Sequence, residues 1–379
     1  MITDILDRLE KVLPIIRDNA QATDDNAKFP TESISALADS GLMGVNIPVT
    51  NGGLGYGPVE FAHVVREIAQ ACGSTSMIYL MHMCSVSVIA AAPPSNGGDQ
   101  LVKDLASGKK LATLAFSEKG SRSHFWAPVS QAKSTDEDKV SIVAEKSWVT
   151  SASEADVYVI TSQAPEGESP VESNLYVVDR TALGVKVSGQ FTGLGLRGND
   201  SAPVSLDIEL SNSTARLGEE KTGFGQLMSV VLPWFCLGNS AVSVGLARAA
   251  LTGAIDHASA SRFEYSDSTL ADLPTIRAYI AKAWVQLASI DALLEKTAEK
   301  IASPDDSTIL FVLGSKAGCN EGALNVTDLS MRIAGGAGFS KQLGIDRPAR
   351  DARAGFVMAP TSDALFDVLG KGLCGMDLF

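Results

Sequence analysis

The sequence predicts an α+β chain in three consecutive blocks: an N-terminal helical domain over 1–110, an antiparallel β-barrel or β-sandwich domain over 111–225, and a C-terminal helical bundle over 226–379. Three observations predict it. The apolar period is helical up to Leu111 and changes to strand-like runs there. The helical period returns after Gly223-Phe-Gly225 and persists to the end. No helical pattern separates the strands, which excludes an alternating α/β arrangement.

Each element has its own signal. Residues 2–20 place Ile5, Leu9, Val12, Leu13 and Ile16 on one helical face, with Pro14 as a kink. Phe29-Pro30 opens a second helix that carries Ile34 and Leu37 inward and stops at Gly41. The loop from Ile47 to Gly57 is stiffened by Pro48 and loosened by its glycines. From Pro58 a third helix aligns Phe61, Val64, Val65, Ile68 and Cys72. The run 76–92 is apolar but broken by Tyr79, His82, Ser85 and Ser87, and it ends at Pro93-Pro94. It is too short for a membrane span and reads as a buried helix. Another helix covers 97–107.

Strands are predicted over 111–117, 140–145, 156–161, 174–179 and 204–210, separated by turn clusters at 134–138 and 164–168. The alternation of Val204, Leu206, Ile208 and Leu210 marks a half-buried antiparallel strand. The helix over 226–258 is rich in small residues, which lets neighbouring helices approach closely. Further helices are predicted over 271–302, 305–330 and 360–372, with Asp305 or Asp306 as an N-cap.

Charge and cysteine usage exclude several function classes. Asp and Glu total 44 against 31 Lys and Arg, a formal net charge of -13, which argues against a nucleic-acid partner. The five cysteines are scattered without a C-x-x-C, so neither a disulfide framework nor a metal site is expected, and a reducing cytoplasmic setting fits. The N-terminal stretch is amphipathic and acidic rather than a targeting segment.

The chemistry-bearing stretches are Ser117-Glu-Lys-Gly-Ser-Arg-Ser-His-Phe-Trp126 and Lys146-Ser-Trp-Val-Thr150. The first is a hydroxyl-rich, glycine-containing loop leaving a strand. The second sets an aromatic face two residues before a hydroxyl. A planar polar heterocycle such as a flavin is held by such a wall: a ring to pack on and short donors at its edge.

In register with these, the chain carries Gly41-Leu-Met-Gly44, Pro48, Gly52-Gly-Leu-Gly55, Leu217-Gly218, Gly223-Phe-Gly225, Arg262 with Tyr265, Gly335-Gly-x-Gly-Phe339 and Arg350-Asp-Ala352. Their order resembles the acyl-CoA dehydrogenase family along essentially the whole chain. Residues 117–124 are similar to its flavin loop, written T-E-P-x-x-G-S-D, and 146–150 to its K-x-W-I-T. The resemblance implies FAD held between subunits of a homodimer or homotetramer. It implies Ser117 and Ser123 donating to the flavin and its pyrophosphate, Trp148 packing on the ring and Thr150 bonding its edge. From a neighbouring subunit it implies Arg262 on the pyrophosphate, and Gly335 and Gly336 admitting close backbone approach.

The catalytic end departs from the family pattern. The family's usual base is a Glu nine residues after the Arg of R-D-A; here that residue is Ala359. The alternative Glu position, on the first long C-terminal helix, falls near Phe235. His124 stands for the Asp of the flavin loop, with Phe125 and Trp126 behind it, and Arg332 stands for the Gln before the double glycine. Candidate replacements are His124 on the flavin loop, His82 on the buried helix and Asp363 one turn past Ala359. The last two also read as a core histidine and a first-turn helix acid. His63 and His257 fall on helix faces. Three functions follow: a flavin-dependent oxidoreductase on an acyl thioester of CoA or a carrier protein, passing electrons to a partner; a hydroxylase supplied with reduced flavin by a reductase; or a non-catalytic flavin-binding member.

Overall fold

A computed structural model describes residues 2–122 and 124–377. The first helix, α1 (Ile2–Asp25), contains Pro14, and its predicted stripe of Ile5, Leu9, Val12 and Ile16 is buried against α2 (Thr31–Asp39) and α3 (Pro58–Ala71). The loop between α2 and α3 folds back on itself. A Cβ on Gly53 would meet the Ile47 carbonyl at 2.2 Å, so only glycine fits there. Helices α4 (Gly73–Ala91) and α5 (Gly98–Ala106) complete this part. Helix α4 and the segment Gly223–Ala260 are long and apolar enough to cross a bilayer, yet 83% of each apolar window lies inside the fold.

Seven strands form two sheets. The sheet β1-β4-β5 joins β1 (Ala112–Ala115), β4 (Val157–Gln163) and β5 (Ser173–Asp179), and its β1–β4 pairing is parallel. The sheet β2-β3-β7-β6 is antiparallel throughout and holds β2 (Lys133–Asp136), β3 (Lys139–Val149), β6 (Val185–Val187) and β7 (Ala202–Ser211). Two strands were not legible in sequence. β2 is exposed along its whole length and β6 has three residues, so neither shows an apolar alternation. The acidic cluster 134–138, expected as a turn only, supplies most of β2 as well.

Short helices α6 (Asn212–Ala215) and α7 (Gly223–Gln226) lead through a π-helical turn at Leu227–Val231 into α8 (Leu232–Ala260). The π turn precedes Pro233, which has no N–H to give the helix ladder. Helices α9 (Pro274–Ala302) and α10 (Thr308–Gly338) pack on α8, followed by α11 (Asp346–Asp351), α12 (Arg353–Val357) and α13 (Ser362–Leu373). The expected N-cap at Asp305 or Asp306 is corrected: Ser307 occupies that position, and Asp305, two residues before it, accepts from its N–H and hydroxyl. Gly335 interrupts α10 with φ 57 and ψ -138, a backbone that side chains rarely adopt.

Arg350 and Asp351 knit the three blocks together. The Arg350 guanidinium donates to both oxygens of buried Asp24 on α1, at 3.0 and 2.6 Å, and to Asp346 at 2.9 Å. It also donates to the Leu194 carbonyl at 3.1 Å, while the Leu196 N–H donates to Asp351 Oδ1 at 2.6 Å. A Cβ on Gly195 would meet the Arg350 carbonyl at 2.5 Å, so that segment lies directly on the motif.

Burial pushes the Asp351 carboxyl up to about 6, against the opposing Leu196 hydrogen bond. A carboxyl raised on folding adds stability below its unfolded value, near pH 4, and loses it as pH rises through about 6. Urea midpoints measured from pH 4 to 7 are therefore expected to fall relative to those of Asp351→Asn, by on the order of 3 kcal/mol. Parallel profiles for the two proteins would show that Asp351 does not titrate in this range.

Candidate functional site

The strand register builds the site. β3 and β7 pair regularly from Lys139↔Ser211 to Lys146↔Val204, then slip before Val149↔Ala202. The slip is a bulge containing Ser147 and Trp148, and it turns the Trp148 backbone to φ 54. Bulges re-aim side chains in this way. The indole stands 61% exposed and stacks on Phe191, with ring centroids 3.8 Å apart. Three of the non-glycine residues with positive φ, Arg122, Trp148 and Leu196, line one cavity of about 830 Å³. Strained backbone of this kind gathers at working sites.

The two chemistry-bearing stretches are fastened to each other. The Ser147 N–H donates to the Ser117 carbonyl at 2.8 Å, and Glu118 and Lys146 form an antiparallel bridge. Beneath the loop, Lys146 Nζ lies 2.6 Å from Glu118 Oε1 and donates to the Thr161 carbonyl at 2.6 Å, with both charged side chains buried. The second Glu118 oxygen accepts from the N–H groups of Val129 and Ser130 at 3.1 and 2.7 Å. Burial alone would raise the Glu118 pKa, but the Lys146 charge and the Ser130 hydrogen bonds hold it below the usual range. Sequence reasoning treated these two residues as motif letters only. Nothing near either one in sequence announces a partner 28 residues away.

One cavity wall is polar, with Ser117, Ser147, Trp148 and Thr150. Apolar lining comes from Met81, Leu114, Phe116, Val231, Phe235 and Met358, among others. Loop residues Gln190, Phe191, Leu196 and Asn199, which sequence reasoning passed over, close another side. The donor set and the exposed indole face fit a flavin-sized heterocycle. Ala359 and Phe235 both line the cavity, so the two positions expected for a base are present and carry no carboxylate.

The proposed replacements are not placed there. His82 is fully buried in α4, its Nδ1 accepting from the Ala112 N–H at 3.1 Å, and it is not a lining residue. Burial pushes its pKa down to about 4, with the backbone of Met43 and Leu105 opposing, so it is a neutral core histidine. His124 is exposed and rests against Trp126 at 5.0 Å; its neighbour Phe125 lines the cavity, as do Ser117 to Gly120 and Arg122 of the same loop, and His124 does not. Asp363 is exposed in the first turn of α13, whose N-cap Thr361 lines the cavity instead. Ser123 lies outside the described residues.

Arg262 is exposed and paired with Asp267 at 3.0 Å, away from the cavity of its own chain. A Cβ on Gly335 or Gly336 would meet nothing within 4 Å, so the backbone there is open to an approaching group. Arg332 donates to Tyr279 Oη at 3.2 Å and sits over its ring, also outside the cavity.

Comparison with known proteins places the whole chain. Residues 10–109 match the acyl-CoA dehydrogenase N-terminal domain, 113–208 the middle domain and 221–374 the C-terminal domain. The chain is 26% identical to a probable acyl-CoA dehydrogenase, YngJ of Bacillus subtilis, over 94% of this chain and 93% of that one. Its fold is similar to that of butyryl-CoA dehydrogenase from Megasphaera elsdenii, with TM-score 0.91, 19% identity and 98% of each chain covered. It is also similar to a structure of PigA with FAD and proline, with TM-score 0.89, 18% identity, and 98% and 97% covered.

The ion pair makes a direct prediction. Lys146→Met, which strands a buried carboxylate, is expected to lower stability by about 3–5 kcal/mol and to weaken flavin retention. Glu118→Gln with Lys146→Met is expected to recover part of the stability, as read by urea unfolding. Because the Glu118 pKa is depressed, the stabilisation is complete above its unfolded value and is lost as pH falls through the folded one. A single variant as stable as the wild type would remove the pair from this role.

Proposed function

This chain belongs to the acyl-CoA dehydrogenase family of FAD-dependent oxidoreductases, and from that footing we propose that it oxidises an acyl group presented as a thioester of CoA or of a carrier protein. The observation that carries the reading is the polarity of the cavity. The same cavity combines polar and aromatic residues suited to the cofactor with apolar lining from Met81, Leu114, Phe116, Val231, Phe235 and Met358. Each methylene buried there contributes roughly 0.8 kcal/mol, which suits an acyl chain.

FAD, when bound, supplies a two-electron acceptor. The residues that would hold it in its own subunit are Ser117 and Thr150 through their hydroxyls and Trp148 through its indole face. Arg262, Gly335 and Gly336 would act on the partner's site in a dimer or tetramer. The apolar lining excludes water and orients the acyl chain. An electron-transfer protein would be the partner that restores the site for the next substrate.

The proton on the acyl carbon has no side-chain acceptor in this cavity. Among the described lining residues Glu118 is the one carboxylate, and it is occupied by Lys146. Lysine, arginine, amide, indole and hydroxyl groups complete the polar lining among the described residues, and none is a base of the required strength at neutral pH. On this reading the chain acts by binding and orientation. The proton released as the acyl group is oxidised passes to solvent water at the polar side of the cavity rather than to a carboxylate. The hydroxylase reading drew support from His82 and His124, and the cavity contains neither.

Anaerobic addition of acyl thioesters of increasing length, on CoA and on carrier protein, is expected to bleach the flavin absorption. Absence of bleaching across that set would overturn the reading, and an oxygen-dependent intermediate with reduced flavin would favour the hydroxylase. Ala359→Glu, which puts a carboxylate on the cavity wall, is expected to raise the bleaching rate by about 10²–10⁴-fold. An unchanged rate would show that residue 359 does not face the reacting carbon.

A further inference from the structure

The cavity lining carries free charge of one sign. Lys119, Arg122 and Arg197 line it, and the one carboxylate among the described lining residues is neutralised by Lys146. Arg197 is already engaged, its Nε donating to the Asp24 carbonyl at 2.9 Å. Lys119 and Arg122 are exposed and take part in no ion pair among the described residues. In a chain of net charge -13, two unneutralised cations at one opening form a local reversal of field.

Arg122 also sits at φ 55, in the left-handed region where a β-carbon is unfavourable. Glycine would adopt that backbone freely, and glycine is what the family's flavin loop carries at this place. Holding a guanidinium there has a conformational cost with no intramolecular partner to offset it. A ligand that meets the guanidinium offsets it.

The geometry points to Lys119 and Arg122 as a phosphate clamp at the cavity mouth. Arg122 offers a planar fork that matches two phosphate oxygens, and Lys119 adds a compact second charge. Two ligands bring such oxygens: the FAD pyrophosphate, and the phosphates of a CoA or phosphopantetheine thioester. The thioester source rests on the function proposed above; the FAD source does not.

Affinity separates the two. Apoprotein of the wild type, Arg122→Gly, Arg122→Gln, Arg122→Lys and the double variant Lys119→Ala/Arg122→Gly is titrated with FAD and with riboflavin by flavin fluorescence. The FAD-loaded proteins are titrated calorimetrically with butyryl-CoA and with butyryl-pantetheine. Arg122→Gly and Arg122→Gln are expected to weaken one phosphate-bearing ligand by about 10–100-fold and leave its phosphate-free counterpart unchanged. Arg122→Lys is expected to fall between, and added salt to shrink the difference. A shift confined to FAD assigns the clamp to the cofactor, and one confined to butyryl-CoA assigns it to the thioester. Unchanged affinity in both pairs, or equal losses for phosphate-free ligands, overturns the clamp. If the wild type binds no thioester, the proposed function fails and the FAD pair alone decides the clamp. Arg122→Gly relieves the strained backbone, so its melting temperature is expected to equal or exceed that of the wild type.

Discussion

The buried pair of Lys146 and Glu118 is the interaction on which the site depends. Two charges taken out of water are tolerated only where each finds its partner and its remaining hydrogen bonds. Here the ammonium meets the carboxylate at 2.6 Å and the Thr161 carbonyl at 2.6 Å, while the carboxylate is filled by Val129 and Ser130. One polar knot therefore joins the loop after β1, the loop before β2, the bulge of β3 and the middle of β4. Trp148 and Ser147 project from the bulge next to the knot, and Ser117 is the residue before it. The wall that meets a flavin is an outcome of the knot rather than a set of independent contacts.

Arg350 and Asp351 play the same part on the opposite side of the cavity. The loop carrying Gly193 to Asn199 has no regular structure of its own, so its backbone groups need partners from elsewhere. Arg350 takes the Leu194 carbonyl and Asp351 takes the Leu196 N–H, which fixes Leu196 at φ 51. Because Arg350 is tied to Asp24 as well, the loop is registered against the first helix. An R-D-A motif read from sequence suggests chemistry; in the fold it is a fastening between blocks.

Element type was legible where burial is one-sided or complete. The stripes of α1 and α3 and the alternation of β7 each record which face meets the core, and all of these match the predicted positions. β2 is exposed on every residue, so its sequence records nothing about a core. At the site, Ser117, Trp148 and Thr150 were legible because hydroxyl and aromatic chemistry is local to their motifs, and all three line the cavity. Leu196 was not legible, because its N–H is fastened to Asp351 more than 150 residues away, and Phe191 was not because its place rests on the Trp148 stack and the Ser201 carbonyl. The histidine candidates failed for a related reason. The strand period identifies the loop that His124 is on, but the turn geometry within it decides that Phe125 goes inward while His124 stays in solvent.

The segment around Ala359 is held by a buried cation. Lys316, buried in α10, donates its three hydrogens to the carbonyls of Gly355, Met358 and Pro360 at 3.1, 3.1 and 2.9 Å. Burial pushes its pKa down to about 8, yet the three carbonyls and the Phe235 face 5.9 Å away solvate the ammonium in place of water. Asn320 adds a fourth bond to Gly355 at 2.9 Å and is itself held by Ser243 at 2.6 Å. This scaffold fixes the backbone on both sides of Ala359 and presents that side chain to the cavity. Ala359 and Phe235 both line the cavity, so this supported segment presents apolar atoms there. The side chain at 359 is therefore held by backbone whose position does not depend on that side chain's own contacts.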